Sequence, residues 1–171
     1  MAKGNWATSK RKSKTHTWKV TPIPDGFILK IDTREQDPLF VKKLPKGLVV
    51  VRDTVKHGDY TIQGFEDKIC IERKQLSDFM SYIGKERDRT KKKLEAMAGL
   101  WFKALVIEES EKNLLSPYQI YTQLTPEHVR GFLKSVQVRY GVHVYMNSKR
   151  DELERWVLDR LTYAYSVLRE V

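Results

Sequence analysis

The chain has 171 residues, enough for one domain with a small appendage and a core that buries about 70% of the unfolded chain's surface without covalent staples. Apolar residues make up 40% and aromatics 11%, an ordinary globular composition, while 32 Lys and Arg against 22 Asp and Glu leave a net charge of +10 that favours a polyanionic partner, nucleic acid above all. A single cysteine, Cys70, excludes an intrachain disulfide and a cysteine-based zinc cluster, and no apolar run is long enough to span a membrane.

Residues 1–24 read as a basic flexible tail. They have no hydrophobic periodicity and no acid, and Lys3, Lys10, Arg11, Lys12, Lys14 and Lys19 carry six of the ten net charges. Such an arm can track phosphates or simply be a solvated tail. It has no apolar signal core. The protein is therefore expected in the cytoplasm of a prokaryotic or virus-infected cell, or in the nucleus of a eukaryotic one.

Residues 25–171 read as one domain. "FILKIDT" (27–33) is a strand and "DPLFVKKL" (37–44) a short helix candidate. "GLVVVRDTV" (47–55), "DYTIQ" (59–63) and "KICIERK" (68–74) are strands separated by turn residues, which predicts a meander. A helical pattern follows over 78–101, with Leu94, Met97, Ala98 and Trp101 on one stripe. "ALVIEE" (104–109) has the continuous apolar character of a strand buried on both faces. Thr125 and Pro126 open another helix as cap and first residue, with Val129, Phe132, Leu133 and Val136 on its inner face. "VHVYM" (142–146) is the last strand. A final helix over 148–169 turns Leu153, Val157, Leu161, Ala164 and Leu168 inward, while its Trp156, Tyr163 and Tyr165 serve an interface or complete the core. This mixture predicts an α/β domain, a mixed sheet with helices packed on it.

The chemistry concentrates in residues 57–80, "HGDYTIQGFEDKICIERKQLSDFM". Side chains alternate across a strand, so Glu72 and Lys74 share a face and Arg73 points the other way. If 59–63 and 68–74 form an antiparallel hairpin, Asp59 meets Glu72 and Lys74. Two carboxylates there repel each other unless they join an ion-pair cluster or hold a cation, and oxygen ligands suit Mg²⁺ or Mn²⁺. Cys70, between two isoleucines, reads as a buried core thiol, and His57 as a surface histidine. The cations Lys85, Arg87, Arg89, Lys91, Lys92 and Lys93 cannot all face one way on a helix; Arg87 and Lys91, four apart, can face the site together. Asp32 can cap a turn and Asp78 can cap a helix or face its dipole. Arg34 and Glu35 can belong to a structural ion network.

The longer pattern is more specific. "GDY" (58–60) followed by "IERKQLSD" (71–78) resembles the GD…ERKxxxD motif of the XPF family of structure-specific endonucleases. "KIDTREQ" (30–36), "KERDR" (85–89) and "LVIEE" (105–109) resemble that family's flanking motifs, in family order, and "IDTREQDPLF" is similar to its compact prokaryotic or viral members. The resemblance covers 27–110 well and the remainder less specifically. It implies a restriction-endonuclease-like fold and divalent-metal-dependent cleavage of DNA, with branched or flapped DNA as substrate. By it, Asp59 and Glu72 bind the metal (Mg²⁺ or Mn²⁺), and Asp32 is a further ligand or an acceptor for metal-bound water. Lys74 is the catalytic lysine and Arg73 belongs to the catalytic motif. Arg34, Glu35 and Asp78 are supporting residues. Arg87 faces the phosphate backbone, with Arg89 and Lys91 as further DNA contacts. A homodimer through the later helices of the nuclease domain is also expected. Two other readings stand beside it: a catalytically silent DNA-binding module of the same fold, and a four-way-junction resolvase or restriction-type nuclease.

Overall fold

The computed structural model describes residues 22–42, 44–116 and 123–170; most of the basic tail lies outside them. In chain order the elements are β1 Ile28–Asp32, β2 Val49–Asp53, β3 Tyr60–Ile62, β4 Ile69–Gln75, α1 Leu76–Ile83, α2 Arg87–Ala98, β5 Phe102–Glu108, α3 Glu111–Leu114, α4 Pro126–Tyr140, β6 His143–Met146 and α5 Arg150–Arg169. The strands form one mixed sheet in the order β2-β1-β3-β4-β5-β6.

Alternation along the strands divides the core into two layers. Tyr60 and Ile62 of β3, Ile69 and Ile71 of β4, and Ala104 and Val106 of β5 pack against Leu153, Val157, Leu161 and Ala164 of α5. Leu105 and Ile107, the intervening residues of β5, pack instead against Phe79, Met80 and Ile83 of α1 and Val129, Leu133 and Val136 of α4. The predicted inner faces of α4 and α5 therefore hold. Thr125 caps α4 as expected, in a reciprocal box with His128: its Oγ1 accepts from the His128 N–H at 3.4 Å, and its own N–H donates to His128 Nδ1 at 3.1 Å. Tyr165 is buried and Trp156 stacks on Tyr145, whereas Tyr163 is exposed. Among the described residues, no helix is long and apolar enough to cross a membrane.

Three expected elements differ. The three early strands are not a meander. β3 and β4 form the antiparallel hairpin, but β2 runs parallel to β1 at the sheet's edge and β3 lies between β1 and β4. Burial accounts for the order: β3 is buried throughout and β2 is partly exposed, so β3 takes the two-neighbour position and β2 the edge. The described residues of the 37–44 stretch form no helix. The Leu39 N–H donates to the Tyr60 hydroxyl at 2.9 Å and the Phe40 N–H to Glu154 at 2.8 Å, so long-range partners take donors a helix would use internally. Phe40 adopts φ +64°, rare for a non-glycine residue, with its ring buried against Tyr60. The helix expected over 78–101 is two helices, parted at Gly84. A Cβ at Gly84 would lie 3.0 Å from the Met80 carbonyl oxygen. α2 ends at Ala98, so Trp101 falls beyond it and is exposed.

Candidate active site

The site begins with Gly58. Its φ is +73°, and a Cβ there would lie 2.7 Å from both the Ile71 carbonyl oxygen and Cys70 Sγ. Only glycine lets the chain approach β4 this closely. The approach lets the Asp59 N–H donate to the Ile71 carbonyl at 2.8 Å, and lets the Asp59 carboxylate accept from the Arg73 N–H at 2.7 Å.

Asp59 thus sits opposite Glu72, continuing the Tyr60–Ile71 pairing. On its other side the Asp32 N–H donates to the Asp59 carbonyl at 2.9 Å, continuing the Ile31–Tyr60 pairing. Asp32, Asp59 and Glu72 therefore form one row across β1, β3 and β4. Their neighbours Ile31, Tyr60 and Ile71 pack toward α5, so the row belongs to the opposite face.

The row is not an equal triad. The Asp32 carboxylate turns to Arg34, whose Nε and NH2 donate to its two oxygens at 2.8 and 2.7 Å, and it also accepts the Val55 N–H at 3.0 Å. Hydrogen bonding from Arg34 holds the Asp32 carboxyl well below the usual range. Asp59 is the reverse case: burial, then the charge of Glu72, pushes it up to about 7. Glu72 is fully buried, and both of its oxygens face an ammonium, Lys74 Nζ at 2.7 Å and Lys93 Nζ at 2.5 Å. Neither contact has hydrogen-bond geometry. The two Glu72 oxygens, though ion-paired, and the hydroxyl of buried Tyr82 are the buried side-chain atoms without a hydrogen-bond partner among the described residues. Lys74 also lies 5.1 Å from the centre of the Tyr82 ring. Burial is the largest influence on Lys74 and works to lower its pKa, but the contact with Glu72 together with the charges of Asp59 and Asp78 outweighs it, and the net direction is upward.

Two closely placed carboxylates, Asp59 pushed up toward neutrality and Glu72 buried between two ammoniums, are a hard-oxygen donor set that fits a divalent cation. The Asp32 carboxylate is turned to Arg34 rather than toward this pair. Among the described residues no three Asp, Glu, His or Cys side chains converge as a metal-binding group, and Asp32 is already engaged by Arg34.

Arg73 lies on the other face, as strand parity requires. Its guanidinium is buried and pairs with Glu35 at 2.6 Å and with Glu108. Arg150, the first residue of α5, closes this network, reaching Asp37 at 2.8 Å and Glu108 at 3.6 Å. Glu35 thus belongs to an ion network as expected, while Arg34 serves Asp32. Asp78 does not cap α1, whose N-cap Gln75 makes no side-chain capping bond; it is exposed in the first turn, where the helix dipole favours an acid. His57 is half-buried rather than on the surface. Burial, then the charges of Lys56 and Lys93, lowers its pKa. Cys70 is buried against Met97 and Leu100, as expected, and burial pushes its thiol up.

Arg87, Arg89 and Lys91 are exposed on α2. Thr90, Leu94 and Met97 define the buried stripe of that helix. At about 100° per residue, Lys93 flanks this stripe on one side, and Arg87 and Lys91 flank it on the other. The cation of this run that reaches the site is therefore Lys93. Tyr82 and Lys93 were not legible as site residues; the basic run was visible, but not the phase of its helix.

The family model of the ERCC4 domain matches residues 31–159. Two solved structures are similar: XPF from Aeropyrum pernix in complex with DNA, and XPF from Aeropyrum pernix. The first aligns with a TM-score of 0.60 at 18% identity, covering 82% of this chain and 65% of that one. The second aligns with a TM-score of 0.56 at 21% identity, covering 78% and 60%. The chain thus spans less than two thirds of either matched chain. No curated protein matches the sequence. With the Asp59–Glu72–Lys74 face inside the matched span and the six-stranded mixed sheet in a restriction-endonuclease-like fold, the chain belongs to the ERCC4 domain family.

Proposed function

We propose that this chain is a divalent-metal-dependent endonuclease that hydrolyses phosphodiester bonds in DNA, with branched or flapped DNA as its preferred substrate. The observation behind the proposal is the closely placed Asp59–Glu72 pair with Lys74 beside it, on one face of a domain of this family. Asp59 and Glu72 would hold the ion, Mg²⁺ or Mn²⁺. When bound, the ion supplies a Lewis acid for the phosphoryl oxygen and lowers the pKa of water. Lys74 stays beside Glu72, where its ammonium orients water and stabilises charge developing at phosphorus. Water attacks in line, leaving 5′-phosphate and 3′-hydroxyl ends. Asp32 acts through its Arg34 contact, at the end of β1 next to Asp59. Arg73 fixes β4 from behind, through Glu35 and Glu108, and its N–H orients the Asp59 carboxylate. Arg87, Arg89 and Lys91 are exposed for phosphate contact, and exposed Tyr163 of α5 is available to a homodimer interface.

The test is cleavage of labelled flap, fork, four-way and linear DNA with Mg²⁺ or Mn²⁺, with EDTA and Lys74→Ala as controls. Cutting that requires metal and is lost in Lys74→Ala, with DNA binding retained, is the expected result. Full cleavage by Lys74→Ala would remove the lysine from its role. Tight binding without cutting under either metal would favour a silent binding module, and a strong preference for four-way DNA a resolvase.

A further inference from the structure

Glu72 is fully buried, yet each of its oxygens is met by a lysine from a different element. The two lysines are not equivalent. Lys74 lies two residues along the same strand and one-fifth of its side chain is exposed, so the strand fixes its approach. Lys93 comes from α2, and its side chain is 37% exposed, with the long stem leading back to solvent. Its neighbours Lys91 and Lys92 are exposed on the same helix. A divalent ion ligated by Glu72 would compete with one of the two ammoniums for a carboxylate oxygen and repel both, so the more loosely tethered lysine, Lys93, is the one to leave.

On this basis, and resting on the metal-dependent reading above, we propose that Lys93 is a displaceable internal counter-ion. It neutralises Glu72 in the metal-free protein, yields that oxygen to a divalent cation, and then contacts the DNA backbone. Metal and the Lys93–Glu72 contact are then competitors. By linkage, removing the Lys93 charge strengthens metal binding, and metal strengthens the Lys93 contribution to DNA binding.

The experiment is titration calorimetry of Mn²⁺ into the full chain as wild type, Lys93→Met, Lys93→Gln and Glu72→Gln, with thermal melts as a folding check. Both Lys93 variants are expected to bind Mn²⁺ roughly fivefold or more tightly than wild type, and Glu72→Gln to lose binding. Binding of labelled flap DNA supplies a readout independent of cleavage. In Ca²⁺, Lys93→Met should bind more weakly, with a salt slope smaller by about 0.9, the value for one phosphate contact. In EDTA, where Glu72 holds Lys93, it should match wild type. Mn²⁺ affinity unchanged or weakened in both folded Lys93 variants, with Glu72→Gln still losing binding, overturns the counter-ion role and leaves the metal site standing. No Mn²⁺ binding to any of the proteins overturns both.

Discussion

Asp59 is partly buried beside Glu72, and its carboxyl is pushed up to about 7 by burial first and by the Glu72 charge second. An unfolded-chain aspartate titrates near 3.9. Between the two values the metal-free folded protein holds a proton that the unfolded chain has released. Folding stability in EDTA should therefore fall as pH rises through this window. The whole effect is on the order of a few kcal/mol, at about 1.4 kcal/mol per pKa unit. Asp59→Asn keeps an oxygen to accept the Arg73 N–H and removes the titration. It should be more stable than wild type at pH 8 in EDTA, with the advantage vanishing below about pH 4. Urea unfolding at pH 4, 6 and 8 measures this; a pH-independent difference would show that Asp59 titrates normally. A site residue whose replacement stabilises the empty protein marks a place where stability yields to function.

At the scale of elements, the hairpin that joins Asp59 to Glu72 depends on Gly58. Gly58→Ala must accept φ +73° and a Cβ 2.7 Å from the Ile71 carbonyl, on the strand that carries Glu72. Gly64, with φ +86° and nothing within 4 Å of where a Cβ would sit, isolates the backbone cost alone. Gly64→Ala should cost about 1–2 kcal/mol and Gly58→Ala clearly more, about 2–4 kcal/mol. Chemical denaturation of the two variants checks the difference, and equal costs would mean that β4 gives way at Ile71. That Glu72 and Lys74 share a face was legible because strand alternation has a fixed period, whereas the "GDY" and "ERK" pieces stood out through their resemblance to the family's motif. The edge position of β2 was not legible: alternation fixes which residues share a face, not which strand lies next to which. Nor was the irregular path at Leu39 and Phe40, where Tyr60 and Glu154 supply partners far off in sequence. The role of Lys93 was hidden for a related reason. The break at Gly84 sets the phase of α2, and only the packing of Thr90, Leu94 and Met97 shows which flank of the helix meets Glu72.

At the scale of the whole molecule, the charge and the site lie in different parts of the chain. Six of the ten net positive charges fall in residues 1–24, whereas the site draws on residues 32–93. Ile23 packs on the core, and the Phe27 N–H donates to the Pro24 carbonyl at 3.1 Å. A deletion of residues 1–19 therefore removes all six charges and spares that packing. Phosphate contacts release counterions, and each contributes about −0.9 to the slope of log affinity against log salt on duplex DNA. If the basic segment tracks the backbone, the deletion should weaken DNA binding at physiological salt and flatten the slope by several units, up to about 5. Cleavage at saturating DNA and low salt should be nearly unchanged, because Asp59, Glu72, Lys74 and their supporting contacts are all retained. Fluorescence anisotropy over a salt series, run beside a single-turnover cleavage assay, separates the two effects. An unchanged slope would assign the DNA affinity to the folded domain and its exposed Arg87, Arg89 and Lys91. A flattened slope with unchanged turnover would show that the chain separates holding DNA from cutting it.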